Sequence, residues 1–302
     1  MTVGSVEIVE VAPRDGLQNE KQPFTTAQKI ELIQRMIAAG ARRIEVASFV
    51  RADRVPQMAD AEAVIEGLQV PDEVTTIGLV MNKKGALRAL ATSVKEIGAV
   101  CVATDSFAGR NQGQTSLESA EMAADVVRFA RAAGRAAQVT IGAAFGCPFE
   151  GEVDPEHVVA IATRIAAADP IEIALADTIG VAVPAQVHAL VAAVCAAVTP
   201  LPVRVHLHNT RNTGIANAWA AVEAGATTLD ASLGGIGGCP FAPSATGNIA
   251  TEDLLYMLGR SGIATGYDLE RTIEAAHWLA GEMDGPLPAV VSRAGPFPNT
   301  KA

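Results

Sequence analysis

Short runs rich in Val, Ile and Thr alternate along the chain with longer Ala-rich stretches in which apolar residues recur every three or four positions. The first pattern marks buried strands and the second marks helices with one apolar face. Their alternation predicts an α/β protein of repeated βα units around a parallel sheet. Eight units are counted, with strands at residues 6–11, 42–47, 74–80, 99–103, 138–144, 171–175, 203–206 and 227–231. Helices are expected at 26–39, 55–68, 84–92, 117–132, 155–167, 184–198, 213–224 and, after a Gly-rich loop, 249–258. Several of these begin at Pro or at a capping Thr, Asp or Ser, and several end beside Gly40, Gly134 or Gly225, as helix caps do. Eight units predict a (β/α)8 TIM barrel over residues 1–265, close to the roughly 250 residues typical of that architecture. Residues 266–302 begin as a helix and end in Pro and Gly. They are expected to form a short C-terminal extension that packs on the barrel or on a neighbouring subunit.

Of the 302 residues 49% are hydrophobic and 4% aromatic, so the core, barrel interior included, is expected to be Ala, Val, Ile and Leu. The 23 basic and 33 acidic residues leave a net charge of −10, which opposes binding to nucleic acid or to anionic membranes. An anionic ligand therefore requires locally gathered Arg and Lys. Cys101, Cys147, Cys195 and Cys239 are far apart, which points to reduced thiols rather than a disulfide framework. The start moves straight into a strand without a leader, and no apolar span is long enough to cross a membrane. The expectation is a soluble cytoplasmic protein acting on a small molecule, with a homo-oligomer left open.

The run VRVHLHN puts His206 and His208 on one face of a strand, because side chains repeat every two residues there. Two such imidazoles either grip one metal ion or are satisfied histidines at a strand end. A parallel barrel collects its strand C-termini on one rim, where its active sites are built, and other polar residues end or follow strands here. Asp15 beside Arg14 offers a metal ligand and a cation for a developing enolate, or else is a plain surface turn. Asn248 either caps the helix expected from residue 249 or turns its amide oxygen to a metal. Glu45 buttresses Arg14 or holds a proton, or forms an interior salt bridge. Cys239, within GGIGGCPFAPSATGN, is a proton carrier on a closing loop or an inert thiol. Asp177 and Thr178 are supports or a helix-cap turn, and Glu10 is placed towards the barrel interior without an assigned role. Asp15, His206, His208 and Asn248 together make an oxygen and nitrogen set without thiolate, which suits Mg²⁺ or Mn²⁺. The Gly-rich loop lacks the Gly-Lys-Ser/Thr ending of a P-loop and falls after the last strand, so it is not a dinucleotide fingerprint.

These residues resemble the 3-hydroxy-3-methylglutaryl-CoA lyases, members of the wider group of TIM-barrel metal-dependent lyases and acyl-CoA synthases. The likeness runs through VEVAPRDGLQNEK (9–21), IEVASFV (44–50), VPQMAD (55–60), GCPFEG (146–151), LADTIGV (175–181) and GGIGGCPFAPSATGNIATEDLLYML (234–258). It implies metal ligation by Asp15, His206, His208 and Asn248, enolate stabilisation by Arg14, support from Glu45 and proton transfer involving Cys239. It also implies retro-Claisen cleavage of 3-hydroxy-3-methylglutaryl-CoA to acetyl-CoA and acetoacetate, in leucine degradation. Departures lie in the acyl pocket and beside the metal set. Thr140 stands where such enzymes often carry Tyr, Ala174 where they often carry Ser, and Asn209 where Asp is usual; Arg211-Asn212 replaces an aromatic-glycine pair. A citramalyl-CoA or other branched 3-hydroxyacyl-CoA is the alternative substrate, and a catalytically silent acyl-CoA-binding barrel the least favoured reading.

Overall fold

The computed structural model describes residues 4–238, 247–283 and 285–298. Eight parallel strands close into a barrel in chain order: β1 (Glu7–Glu10), β2 (Arg43–Ser48), β3 (Thr75–Val80), β4 (Glu96–Val102), β5 (Ala136–Gly142), β6 (Ile173–Asp177), β7 (Val203–Leu207) and β8 (Thr228–Ala231). The helices are α1 (Thr26–Ala38), α2 (Ala61–Gly67), α3 (Lys83–Leu90), α4 (Asp105–Gln112), α5 (Ser116–Ala132), α6 (Pro155–Ala166), α7 (Pro184–Val198), α8 (Gly214–Glu223), α9 (Thr251–Arg260), α10 (Leu269–Glu282) and α11 (Val291–Ala294). The barrel expected from the hydrophobic pattern is therefore the fold observed.

Local chemistry explains the helix ends. Thr25 and Gln28 form a reciprocal capping box at α1, as do Thr115 and Glu118 at α5, each satisfying two otherwise free N–H groups. Pro155 and Pro184 open α6 and α7, where a missing N–H costs nothing. Gly40, Gly134 and Gly225 follow helices with φ of +107°, +74° and +108°.

Three elements differ from the sequence expectation. The helix expected over 55–68 is a short turn, Pro56–Met58, followed by α2. Its break lies at Asp60, whose carboxylate takes Lys29 Nζ at 2.5 Å and Thr26 Oγ1 at 2.7 Å. Helix α4 was not foreseen, because DSFAGRNQ carries almost no apolar periodicity; it stops at Gly113, φ +70°. Helix α9 begins at Thr251 rather than 249, since Asn248 and Ala250 remain extended and bridge His208 and Ser232.

The expected Ala, Val, Ile and Leu core lies between the sheet and the helices. Inside the barrel the expectation fails: one small apolar cluster, Val9, Val11 and Ile77, is surrounded by charge. Arg43 bonds both oxygens of Glu96 at 3.0 and 2.6 Å and Glu172 Oε1 at 3.1 Å. Arg204 pairs with Glu172 and Asp230, each at 3.2 Å. Polar residues two apart within apolar strands, as in Arg43-Ile44-Glu45, put charge on one face, and closure turns that face inward. Glu10 belongs to the opposite face of β1 from Val9, which corrects its expected interior placement. It takes N–H groups of Ala12 and Leu233, both at 2.9 Å, and the Thr251 hydroxyl at 2.7 Å. It thereby ties β1 to the segment after β8 and to α9. Helix α10 packs against α1 and α9, and Trp278 lies 4.9 Å beneath the Arg35 guanidinium.

Candidate active site

The turn after β1 is wider than an α-helical turn: the Val11 carbonyl accepts from the N–H groups of Arg14, Asp15 and Gly16 at 3.2, 2.8 and 3.2 Å. Such turns put successive side chains in positions a regular helix cannot. Gly16 is required where the turn meets the segment after β8, because a Cβ there would lie 2.7 Å from Ile236 Cγ1. Arg14 and Asp15 thus face the barrel mouth. Arg14 Nε donates to Glu45 Oε2 at 2.5 Å, its Nη2 pairs with the same carboxylate, and its Nη1 donates to Asp15 Oδ1 at 2.6 Å. Burial raises the pKa of Glu45 even against Arg14. Glu45 is both the interior salt bridge and the buttress that the sequence left as alternatives.

His206 and His208 stand side by side at the end of β7, their Nε2 atoms 3.1 Å apart. His206 Nδ1 lies 3.0 Å from Asp230 Oδ2. An ionised carboxylate only accepts, so Asp230 holds the Nδ1 proton and leaves Nε2 as a lone pair. Burial lowers the pKa of His206, but the bond to Asp230 and the charge of Asp15 outweigh it and the net shift is upward. Burial and the neighbouring His206 bring His208 down to about 4, so it is neutral, the form that binds metals. For Asp15 burial opposes ionisation, yet Arg14 and the two imidazoles keep its pKa far below the usual carboxylate range.

Asp15 Oδ2 lies 3.9 Å from His206 Nε2 and accepts from Asn248 Nδ2 at 2.9 Å. Asn248 does not cap α9. Its bridge to His208 holds the side chain at the site, where Nδ2 also donates to the Ile236 carbonyl at 3.1 Å. The ligand atoms of Asp15, His206 and His208 lie within 4.8 Å of one another. Two features fit a cation there. Asn248 Oδ1 is a buried acceptor without a hydrogen-bond partner among the described residues, a state normally compensated. In addition, the guanidiniums Arg14, Arg43 and Arg204 face the carboxylates Asp15, Glu45, Glu96, Glu172 and Asp230, an excess of negative charge that a divalent ion offsets.

Arg14, Asp15, Glu45, His206, His208 and Asp230 line a cavity of about 490 Å³ that runs from Arg204 and Thr140 at its floor past the His pair to a mouth carrying Arg51, Arg54, Lys84 and Arg88. Arg51 is paired with Asp53 and Arg88 with Glu62, so Arg54 and Lys84 contribute most of the local positive charge that an anionic ligand needs in this acidic chain. Asp177 accepts the N–H groups of Val181 and Ala182 at 2.9 and 3.0 Å, and is thus a turn cap. Cys239 lies outside the described residues. Gly238, before it, lines the cavity, and its carbonyl accepts from Asn19 Nδ2 at 2.7 Å. Asp230 and Arg204 were missed by sequence reasoning. Both carry a readable signal: Arg204 shares the two-residue period of the His pair, and Asp230 interrupts the apolar run TTLDAS.

A family model described as HMGL-like matches residues 5–279. The chain belongs to the HMGL-like family. This HMGL-like chain is 45% identical over 305 residues to the (R)-citramalyl-CoA lyase of Chloroflexus aurantiacus, covering 97% of this chain and 95% of that protein. It is 38% identical over 289 residues to the mitochondrial hydroxymethylglutaryl-CoA lyase of Mus musculus, covering 96% and 89%. Among solved structures, an HMG-CoA lyase from Acinetobacter baumannii in complex with coenzyme A and 3-methylmalate superposes with a TM-score of 0.94 at 36% identity, over 100% of this chain and 98% of that one. No described helix of the HMGL-like chain is long and apolar enough to cross a membrane.

Proposed function

We propose that this protein is a divalent-metal-dependent lyase that splits a branched 3-hydroxyacyl-CoA diacid into acetyl-CoA and an oxo acid. The observation that carries the reading is the convergence of Asp15, His206 and His208 beside the Arg14 guanidinium in one cavity, with Asn248 bonded to Asp15. A divalent ion held by Asp15, His206, His208 and Asn248 supplies Lewis-acid polarisation of the substrate's hydroxyl and carboxylate oxygens, and Mg²⁺ or Mn²⁺ suits the donor set.

The protein's own groups do the rest. Asp15 or His206 takes the C3 hydroxyl proton, the oxygen's electron pair becomes the C3 carbonyl, and the C2–C3 bonding pair passes to C2. Arg14, locked between Glu45 and Asp15, faces the resulting thioester enolate, whose charge a fixed guanidinium stabilises. A proton delivered to C2, with Cys239 as its carrier, completes acetyl-CoA. Arg51, Arg54 and Lys84 at the mouth suit the phosphates of CoA.

3-Hydroxy-3-methylglutaryl-CoA, yielding acetoacetate in the setting of leucine degradation, is one substrate reading. Citramalyl-CoA, yielding pyruvate, is the other, favoured by Thr140 on the cavity wall, by Ala174 as its register partner on β6 and by the relative of that activity. The test is acetyl-CoA release from both thioesters, after EDTA treatment and again after Mn²⁺ or Mg²⁺. The reading requires loss with chelator and recovery with metal; cleavage indifferent to metal, or none at all, overturns it.

A further inference from the structure

Thr140 of β5, Ala174 of β6 and Arg204 of β7 are successive register partners and so point the same way. Arg204 reaches across the methyl group of Ala174 to put Nη2 at 3.2 Å from Thr140 Oγ1. Its other edge is fixed: Nη1 bonds Asp230 Oδ1 at 3.2 Å, and the other oxygen of Asp230 holds His206. The guanidinium is 2% exposed and forms part of the cavity wall, two residues below His206 on the same strand face. Glu172 and Asp230 pair with it on two sides, and the Nη2 edge meets the neutral hydroxyl of Thr140. Thr140 can rotate that hydroxyl to donate, so guanidinium and hydroxyl present two donors side by side at the floor of the cavity.

We propose that Arg204, with Thr140, is the specificity-determining receptor for the acid arm of the acyl group. It selects a carboxylate borne directly on the hydroxyl-bearing carbon over one that is a methylene further away. The inference rests on the lyase reading above and names its substrate class. A single side chain, Asp230, separates this receptor from His206, which fixes a short distance between the group that takes the carboxylate and the groups that take the hydroxyl. The guanidinium also fills the floor into which a longer arm would extend. One misplaced methylene commonly changes kcat/KM by about 10–200-fold.

The test compares kcat/KM for citramalyl-CoA and 3-hydroxy-3-methylglutaryl-CoA in the wild type, Arg204→Met and Thr140→Val, each loaded with Mn²⁺. Titration calorimetry of free citramalate and free 3-hydroxy-3-methylglutarate against the same proteins gives a readout independent of turnover. The wild type is expected to prefer the shorter arm by about tenfold or more. Arg204→Met is expected to lose that preference together with citramalate affinity, and Thr140→Val to lower both several-fold. Should Arg204→Met not fold, leaving Glu172 and Asp230 without their shared cation, Thr140→Val decides by itself. A wild-type preference for the longer arm, an unchanged ratio in the variants that fold, or an equal fall on both thioesters with unchanged diacid binding overturns the proposal. The last result makes Arg204 a support for Asp230 alone. If the wild type cleaves neither thioester the lyase reading fails, and the calorimetry still decides whether Arg204 receives the diacid.

Discussion

Arg14 touches two carboxylates and still faces the cavity, so its guanidinium is oriented before any ligand arrives. Replacing it with Met is expected to lower kcat by on the order of a hundredfold or more while leaving metal binding in place, read by steady-state kinetics beside Mn²⁺ titration. Glu10 shows the opposite use of a buried acid. Burial raises its pKa to about 7 against three hydrogen bonds that favour the ionised form. A carboxyl whose folded-state pKa lies above its unfolded value of 4.5 contributes stability that is fully present below that value and lost as pH rises through about 7. Glu10→Gln keeps the shape and cannot ionise. It is expected to flatten the fall in stability between those two pH values, by up to about 3 kcal/mol, as denaturant midpoints across that range will show. A remaining slope belongs to the other buried acids, Glu252, raised to about 7, and Glu45, Glu96 and Asp177, raised in the same direction by burial.

At the scale of elements, the site depends on short departures from regular structure. The wide turn after β1 delivers Arg14 and Asp15, and the extended stretch before α9 delivers Asn248. A start of α9 at residue 249 would have spent Asn248 on backbone capping. The regular elements are pinned from outside: Gly40 leaves α1 at φ +107°, and a Cβ there would lie 2.6 Å from the Gly266 carbonyl. Gly40→Ala is therefore expected to cost about 1–3 kcal/mol. Asp154→Ala, which removes the side chain that caps α6 through the Glu156 N–H at 3.0 Å, is expected to cost about 1 kcal/mol. Urea unfolding of both variants checks the contrast, and retained activity in Asp154→Ala separates stability from function.

For the whole molecule, the unusual feature is a barrel filled with charge. Buried ion pairs contribute little net stability when intact, but removing one partner leaves an uncompensated charge, at about 3–5 kcal/mol. Arg43→Met, which leaves Glu96 without its cation and Glu172 with Arg204 alone, is expected to lower the melting temperature far more than loss of any surface pair such as Arg51 with Asp53. The excess of interior carboxylates also makes a divalent ion a stabilising ligand. At a free concentration a hundred times its Kd an ion adds about 2.7 kcal/mol. The melting temperature is therefore expected to rise with Mn²⁺ in the wild type and to stay flat in His206→Ala, as calorimetry with and without EDTA will show.

The chain by itself determined the barrel, because strand and helix periods of hydrophobicity are local and repeat eight times between legible caps such as Thr25, Pro155 and Gly225. It also determined that His206 and His208 share a face at the end of β7 and that Asp15 follows β1, since both follow from position along a strand, whereas the bridge that brings Asn248 to His208 is tertiary. What only the tertiary structure decided is how those groups are supported. Asp230 lies on the strand after His206, and Arg204 reaches Thr140 two strands away across Ala174. Strand register and barrel closure create both contacts, and no local pattern encodes either. The same closure turned the charged residues of β2, β4 and β7 inward, where composition had suggested an apolar filling, because a two-residue period reveals which residues share a face but not which side of the sheet that face becomes.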